Sequence, residues 1–96
     1  MPNIPSHLKP YLASYDLSQL DIVNDREIII TEILNKGDGK ALRWLTENYS
    51  KRDIKNAVAS PLRGYWMSSV LKYWLNIFEI SLSKNKFEKA IISLEA

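Results

Sequence analysis

The chain has 96 residues, 46% hydrophobic and 25% charged, a composition typical of one folded domain rather than of a disordered segment. Thirteen basic and eleven acidic residues give a formal charge of +2, and because the two signs are interspersed this charge permits DNA binding without predicting it. The sequence has no cysteine, which excludes disulfides, thiolate metal sites and a cysteine nucleophile.

No segment is predicted to enter a membrane. The longest apolar runs, such as residues 28–30, fall far short of the roughly 18 residues of a membrane span. The first residues also lack the basic segment and apolar stretch of a signal peptide. We therefore expect one cytoplasmic domain over residues 1–96.

The first third of the chain predicts an irregular segment and then a well-marked helix. Prolines make residues 1–10 irregular, with at most one short helix at their end. Asn24 and Glu27 have the spacing of a capping box, and residues 28–34 supply a wide apolar face. Gly37 is expected to stop this helix.

Two more helices follow in the middle of the chain. Asp38 is expected to cap a helix that runs to Tyr49, and Ser50 is expected to cap the next one. Pro61 ends that helix, because proline disfavours the α conformation in the residue before it. Residues 63–64 are typical of a turn.

The pattern of the remaining residues predicts two more helices. The sequence as a whole therefore predicts a compact all-α bundle of five to six short helices. Of the last two helices, one covers residues 65–79, and its expected core stripe is Met67, Val70, Leu71, Trp74 and Phe78. Ser83 is expected to cap the other, over residues 84–96, with a frayed end and an apolar side of Phe87, Ala90, Ile91 and Leu94.

The residues that could carry chemistry are few, and we expect no enzyme, no cofactor and no metal site. The single histidine, His7, is predicted to be an exposed side chain without a partner. Asp16, Asp21 and Asp25 could form a set of cation ligands, but acids at a helix start explain their spacing more simply. Residues 37–40 lack the spacing, hydroxyl and preceding strand of a phosphate-binding loop.

One possible function is DNA binding by a helix-turn-helix-like unit. A helix up to Ser60, a tight turn at residues 61–64 and the helix after it have this layout. The candidate nucleic-acid contacts are Lys51, Arg52, Lys55, Arg63 and Lys72. The exposed face of the second helix would carry Ser68, Ser69, Lys72 and Asn76. A single lysine, no arginine and three bulky aromatic residues in that helix count against this function.

The other possible function is binding of a protein partner through aromatic side chains. The candidate contacts are Tyr65, Trp66 and Tyr73, of which the last two are seven residues apart and would share a second helical face. Either the first and last helices cover this face, or it is an exposed interface. Self-association through the same face is a further alternative.

The order of these residues resembles a family of small, largely uncharacterised bacterial helical proteins. The resemblance covers roughly residues 11–80, and its motifs are Tyr15-Asp16, Leu20-Asp21, Asp25-Arg26, Ile33-Leu34, Gly37-Asp38, Trp44-Leu45, Tyr49, Ile54, Val58 and Tyr73-Trp74. Members look like the antitoxin-side partners of nucleotidyltransferase-like toxins. The resemblance therefore implies a bacterial protein that binds a toxin, leaves binding to its own operator open, and brings no catalytic residues.

We accordingly expect a non-enzymatic interaction protein of the antitoxin type, which masks a partner's surface with its helices. The expected partner is a protein, and the resemblance implies a nucleotidyltransferase-like toxin. The alternative is a DNA-binding transcriptional regulator, and a homo-oligomer remains open.

Overall fold

The computed structural model describes residues 4–92 and forms these residues into six helices without a β-strand. A 3₁₀ helix, Ser6–Leu12, comes first. The five α-helices that follow are α1 (Arg26–Lys36), α2 (Gly39–Asn48), α3 (Lys51–Ala59), α4 (Ser68–Ile77) and α5 (Lys84–Ala90). The predicted all-α bundle is confirmed. Within this part of the chain, no helix has the length and apolar character that crossing a bilayer requires.

Helix α1 lies at the centre of the bundle. It packs against the 3₁₀ helix, α2, α3 and α4, and its side chains Ile29, Ile30 and Ile33 are fully buried. Leu8 and Leu12 of the 3₁₀ helix are also fully buried in this core. The 3₁₀ helix is therefore part of the fold, because burying each large aliphatic side chain stabilises it by about 1.5–3 kcal/mol.

Three helices begin at the capping residues that the sequence predicts. Asp38, Ser50 and Ser83 each accept a hydrogen bond from the backbone N–H three residues later, at 2.9, 3.1 and 3.2 Å. Each bond satisfies one of the N–H groups that a helix start leaves without an intrahelical partner. That N–H also holds the pKa of the Asp38 carboxyl below its usual value.

The capping box predicted for α1 is wrong. The N–H groups of Val23 and Asn24 donate to the Asp21 carboxylate at 2.8 and 2.9 Å, and the Asp21 N–H donates to the Asp25 carboxylate at 2.8 Å. These bonds hold a turn instead of a helix start. As a result α1 begins at Arg26, two residues after Asn24.

Gly37 ends α1 as predicted, but the reason is space rather than a left-handed backbone. Its φ of −70° and ψ of 150° suit any residue. A Cβ at this position would lie 2.7 Å from the Ile33 carbonyl oxygen and 3.0 Å from the Ala41 Cβ. Glycine therefore allows α1 and α2 to approach each other closely.

The helix predicted over residues 65–79 is wrong at its beginning. Helix α4 starts at Ser68, and the residues before it are held in a non-helical conformation by α1. The Asn35 side-chain amide donates to the Tyr65 carbonyl at 2.9 Å and accepts from the Met67 N–H at 3.1 Å. Because these backbone groups bond to Asn35, they do not form the first turn of a helix.

The last described residues, 90–92, pair with the same segment, which corrects the helix predicted over residues 84–96. The Trp66 N–H donates to the Ala90 carbonyl at 3.0 Å, and the Ile92 N–H donates to the Trp66 carbonyl at 2.8 Å. Helix α5 therefore ends at Ala90, and Ile91 forms an isolated parallel bridge with Trp66. Leu94, predicted on the apolar side, lies outside the described residues.

Helix α4 ends at Ile77, two residues earlier than predicted, in a tight C-terminal turn. Glu79 has a φ of 54°, and the Ile80 N–H bonds to the Leu75 carbonyl at 2.9 Å. This is the six-residue bond of a Schellman motif, in which glycine usually occupies the left-handed position. Glu79 therefore carries a backbone strain that glycine would not have.

Candidate interaction surface

An open apolar groove lies between α2, α3 and α4 and has a volume of about 350 Å³. Seven of its nine lining residues are apolar. The residues that line this apolar groove are Leu34, Leu42, Leu45, Thr46, Tyr49, Lys51, Ile54, Trp74 and Phe78.

The floor of the apolar groove is part of the hydrophobic core, and its walls are half-buried. Leu45 and Ile54 are buried, whereas Leu42 on one wall is only partly covered. On the opposite wall the rings of Trp74 and Phe78 stack with centroids 6.0 Å apart and an angle of 27° between their planes. The stacked pair presents an apolar surface on which another side chain can pack.

Tyr49 contributes its ring to the apolar groove, but its hydroxyl is used elsewhere. The hydroxyl donates to the Ile22 carbonyl at 2.8 Å, and burial raises the pKa of Tyr49 to about 12. The bond also ties the turn before α1 to the end of α2. Tyr49 therefore remains neutral at physiological pH and offers the apolar groove only its ring.

The apolar surface continues from the apolar groove over the outside of α4. Tyr73 and Ile77 are 57% and 51% exposed, and the Tyr73 ring contacts Trp74 edge-on with centroids 5.1 Å apart. Tyr73 is thus exposed and next to the apolar groove. It is the predicted partner contact that the structure places at this surface.

The other two predicted partner contacts are held inside the fold. Trp66 is fully buried and precedes α4, so the prediction that it shares a helical face with Tyr73 is wrong. Tyr65 is partly buried and adjoins Tyr15, whose pKa is raised by burial and further by hydrogen bonding to Tyr65. Met67, predicted for the core stripe, is instead 41% exposed.

The predicted nucleic-acid contacts do not form one patch. Lys51 lines the apolar groove, and Lys55, four residues later, lies on the same side of α3, with Arg52 also exposed. Arg63 lines a separate cleft of about 320 Å³, and the Lys72 ammonium lies 5.7 Å from the centroid of a ring on α5. The basic side chains are therefore distributed over several surfaces.

The helix-turn-helix-like layout is only partly present. Ser68, Ser69, Lys72 and Asn76 are exposed on α4 as predicted. Gly64, with a φ of 76°, forms the predicted turn. However, residues 60–67 separate α3 from α4, a longer connection than the three or four residues of that motif.

The aspartates near the start of the chain do not gather into a cation site. Asp16 accepts bonds from the Ser18 hydroxyl and N–H at 2.7 and 3.0 Å, which lower its pKa. Within residues 4–92 no group of three or more His, Asp or Glu side chains is arranged to hold a metal ion. His7, predicted to be exposed, is partly buried, and its Nε2 has no hydrogen-bond partner in this part of the chain.

Comparison with known proteins yields a family and no characterised relative. No curated protein and no solved structure matches the chain. A family described as "Family of unknown function (DUF6922)" matches residues 9–58, which extend from the 3₁₀ helix to α3. The match includes the floor residues Leu45 and Ile54 of the apolar groove and ends before Tyr73-Trp74. Because it covers more than half of the sequence, the chain belongs to this family of unknown function.

Proposed function

We propose that this protein is a non-enzymatic interaction module that binds a protein partner in the apolar groove. The observation that carries the proposal is the apolar groove itself, with a hydrophobic floor and the stacked Trp74 and Phe78 on one wall. Tyr73 and Ile77 extend the apolar surface beyond this wall. Aromatic residues around a desolvated pocket contribute most of the binding energy in many protein interfaces.

The specific form of the proposal is an antitoxin that masks the surface of a nucleotidyltransferase-like toxin in the cytoplasm. It rests on the resemblance of the sequence to antitoxin-side proteins, in which Trp44-Leu45, Tyr49 and Tyr73-Trp74 are among the motifs. Leu45, Tyr49 and Trp74 are also lining residues of the apolar groove. One surface therefore unites residues that are distant in sequence, as a binding site for a partner requires.

The test is to capture the partner from the native host with tagged wild-type protein and two variants. Thr46→Arg places a long side chain at the rim of the apolar groove, where its size obstructs the entry of a partner's side chains. Because Thr46 is exposed, the substitution leaves the hydrophobic core intact. Ser69→Arg adds the same side chain on an exposed part of α4 outside the apolar groove and is the matched control. Thermal unfolding of all three proteins confirms that they are folded.

The proposal predicts a stoichiometric protein that survives nuclease treatment, is retained by Ser69→Arg and is lost with Thr46→Arg. Identification of this protein as nucleotidyltransferase-like by mass spectrometry would support the antitoxin form. Equal capture by both variants would contradict binding in the apolar groove.

DNA binding is the alternative function, and the same capture experiment separates it from the proposal. Recovery of DNA without a protein partner would favour it. Its affinity would fall steeply with salt, because each phosphate contact releases counterions. A flat salt response would exclude it.

A further inference from the structure

We propose that the occupant of the apolar groove is an amphipathic helix of the partner with acidic residues beside its apolar stripe. This inference rests on the proposed function and specifies the chemistry of the segment that binds. It follows from the shape of the apolar groove, from the backbone of its walls and from the charges along its rim.

The dimensions of the apolar groove suit the apolar side chains of a helix. Leu42 and Thr46 of α2, and Tyr49 immediately after it, line one side of the apolar groove, and seven residue steps of helix correspond to about 10 Å. An amphipathic helix places anchors at i, i+3 or i+4 and i+7 over the same length. Two or three such anchors can therefore enter side by side.

The walls favour a helix over an extended peptide. They consist of helices, whose backbone groups are already paired internally, so the apolar groove offers side chains rather than the open backbone of a sheet edge. An extended segment would bury its own backbone N–H and carbonyl groups without partners. A helix brings its backbone hydrogen bonds with it.

The charges nearest the opening are positive. Lys51 lines the apolar groove. Successive residues of a helix are about 100° apart around its axis, so Lys55 lies about 40° from Lys51 around the axis of α3. Arg43 lies about 60° round α2 from Thr46. All three basic side chains are exposed, and none forms an ion pair with a residue in the described part of the chain.

The acidic residues of these helices lie further from the opening. Around the axis of α3, Asp53 lies about 160° from Lys51, and around the axis of α2, Glu47 lies about 100° from Thr46. Together α2, α3 and α4 carry six basic and two acidic residues, whereas residues 1–38 carry three basic and six acidic ones. The basic rim therefore attracts acidic residues that flank the apolar stripe of a bound helix.

The same charges disfavour a second copy of this chain as the occupant. In a two-fold dimer whose axis passes through the apolar groove, the groove faces its own copy, so Lys51 and Lys55 of one protomer would approach those of the other. Like charges that meet across an interface oppose association. An acidic helix from a different protein avoids this repulsion.

The experiment uses two blocked, labelled peptides of about 18 residues, long enough for appreciable helix formation. Both carry leucine at i, i+4, i+7 and i+11, and the flanking positions are glutamate in one and lysine in the other. Fluorescence anisotropy measures their affinity for the full chain at low and high salt. Sedimentation of the free protein measures its oligomeric state.

We expect the glutamate peptide to bind at least tenfold more tightly than the lysine peptide at low salt, with the difference decreasing as salt screens the charges. The double variant Lys51→Glu/Lys55→Glu should abolish this preference. Both lysines are exposed, and a glutamate at position 51, in the first turn of α3, interacts favourably with the helix dipole, so loss of binding would not be explained by loss of folding. Lys86→Glu/Lys89→Glu makes the same change in net charge at the separate cleft and should keep the preference.

Several results would overturn the inference. These are binding of neither peptide, equal binding of both, or a preference that survives charge reversal at Lys51 and Lys55. A dimer that Thr46→Arg dissociates would identify a second copy as the occupant. If the inference failed while Thr46→Arg still prevented capture of a native partner, the proposed function would stand and only the acidic helix would be wrong.

Discussion

The contact between Asn35 and the segment before α4 provides a sharp test of how the bundle is held together. Asn35→Ala removes the donor to the Tyr65 carbonyl and the acceptor of the Met67 N–H, which lie at 2.9 and 3.1 Å. These bonds connect residues 30 and 32 positions apart in the sequence. They fix the backbone on both sides of Trp66, whose side chain is fully buried.

The expected loss of stability is about 1.5–2 kcal/mol. Each hydrogen bond contributes roughly 1 kcal/mol net. The higher helix propensity of alanine returns up to about 0.5 kcal/mol. With a urea dependence of about 1–3 kcal/mol per molar for a small protein, the unfolding midpoint should fall by about 1 M.

Urea unfolding followed by tryptophan fluorescence measures this change. Asn48→Ala is the matched control, because Asn48 makes a single exposed bond, to the Trp44 carbonyl at 2.8 Å. We expect the control to change the free energy of unfolding by less than about 0.5 kcal/mol. Equal midpoints for Asn35→Ala and Asn48→Ala would refute the proposed role of Asn35 in holding residues 65–67.

Three further predictions concern backbone geometry and pH. Gly37→Ala should lower the thermal unfolding midpoint, because the added Cβ would lie 2.7 Å from the Ile33 carbonyl oxygen. Gly39→Ala is the control and should raise or preserve the midpoint, because no atom lies within 4 Å of its added Cβ. A lower midpoint for Gly39→Ala than for Gly37→Ala would contradict this prediction. Glu79→Gly should stabilise the protein by about 0.5–1 kcal/mol in urea unfolding by relieving the positive φ, and a loss of stability would show that the strain is absent. The pKa of Asp38 is lowered in the fold, so its stabilising contribution is present above the unfolded pKa of about 4 and is lost as pH falls through the folded pKa. Asp38→Asn should therefore show a smaller loss of urea midpoint than the wild type between pH 5 and pH 2, and parallel losses would contradict this linkage.

The features that could be predicted from the sequence depend on neighbouring residues. Asp38, Ser50 and Ser83 cap their helices through bonds to N–H groups three residues away, so a short motif contains all the required information. The capping box predicted at Asn24 does not form, because the Asn24 N–H, which the Glu27 side chain would accept in a capping box, donates to the Asp21 carboxylate instead. Two local motifs overlapped there, and the spacing alone did not show which one forms.

The features that could not be predicted depend on residues that are distant in the sequence. Trp66 fits the pattern of a helix, but Asn35 and Ala90 bond to this segment and hold it outside α4. The apolar groove likewise depends on residues that are distant in the sequence. Trp74 lies on an apolar stripe and was expected in the core, yet it is only half-buried on one wall. Whether neighbouring helices cover such a side chain depends on their packing, which periodicity does not specify.

The three tryptophan indole N–H groups allow the most direct test of binding in the apolar groove. In a two-dimensional nitrogen–proton NMR spectrum, the partner or the glutamate peptide is titrated into labelled protein. The proposed site predicts that the Trp74 signal shifts or broadens at stoichiometric ligand, while the signal of the fully buried Trp66 stays nearly unchanged. An unchanged Trp74 signal under saturating ligand, with shifts instead at Lys86 and Lys89 in the separate cleft, would contradict the central claim.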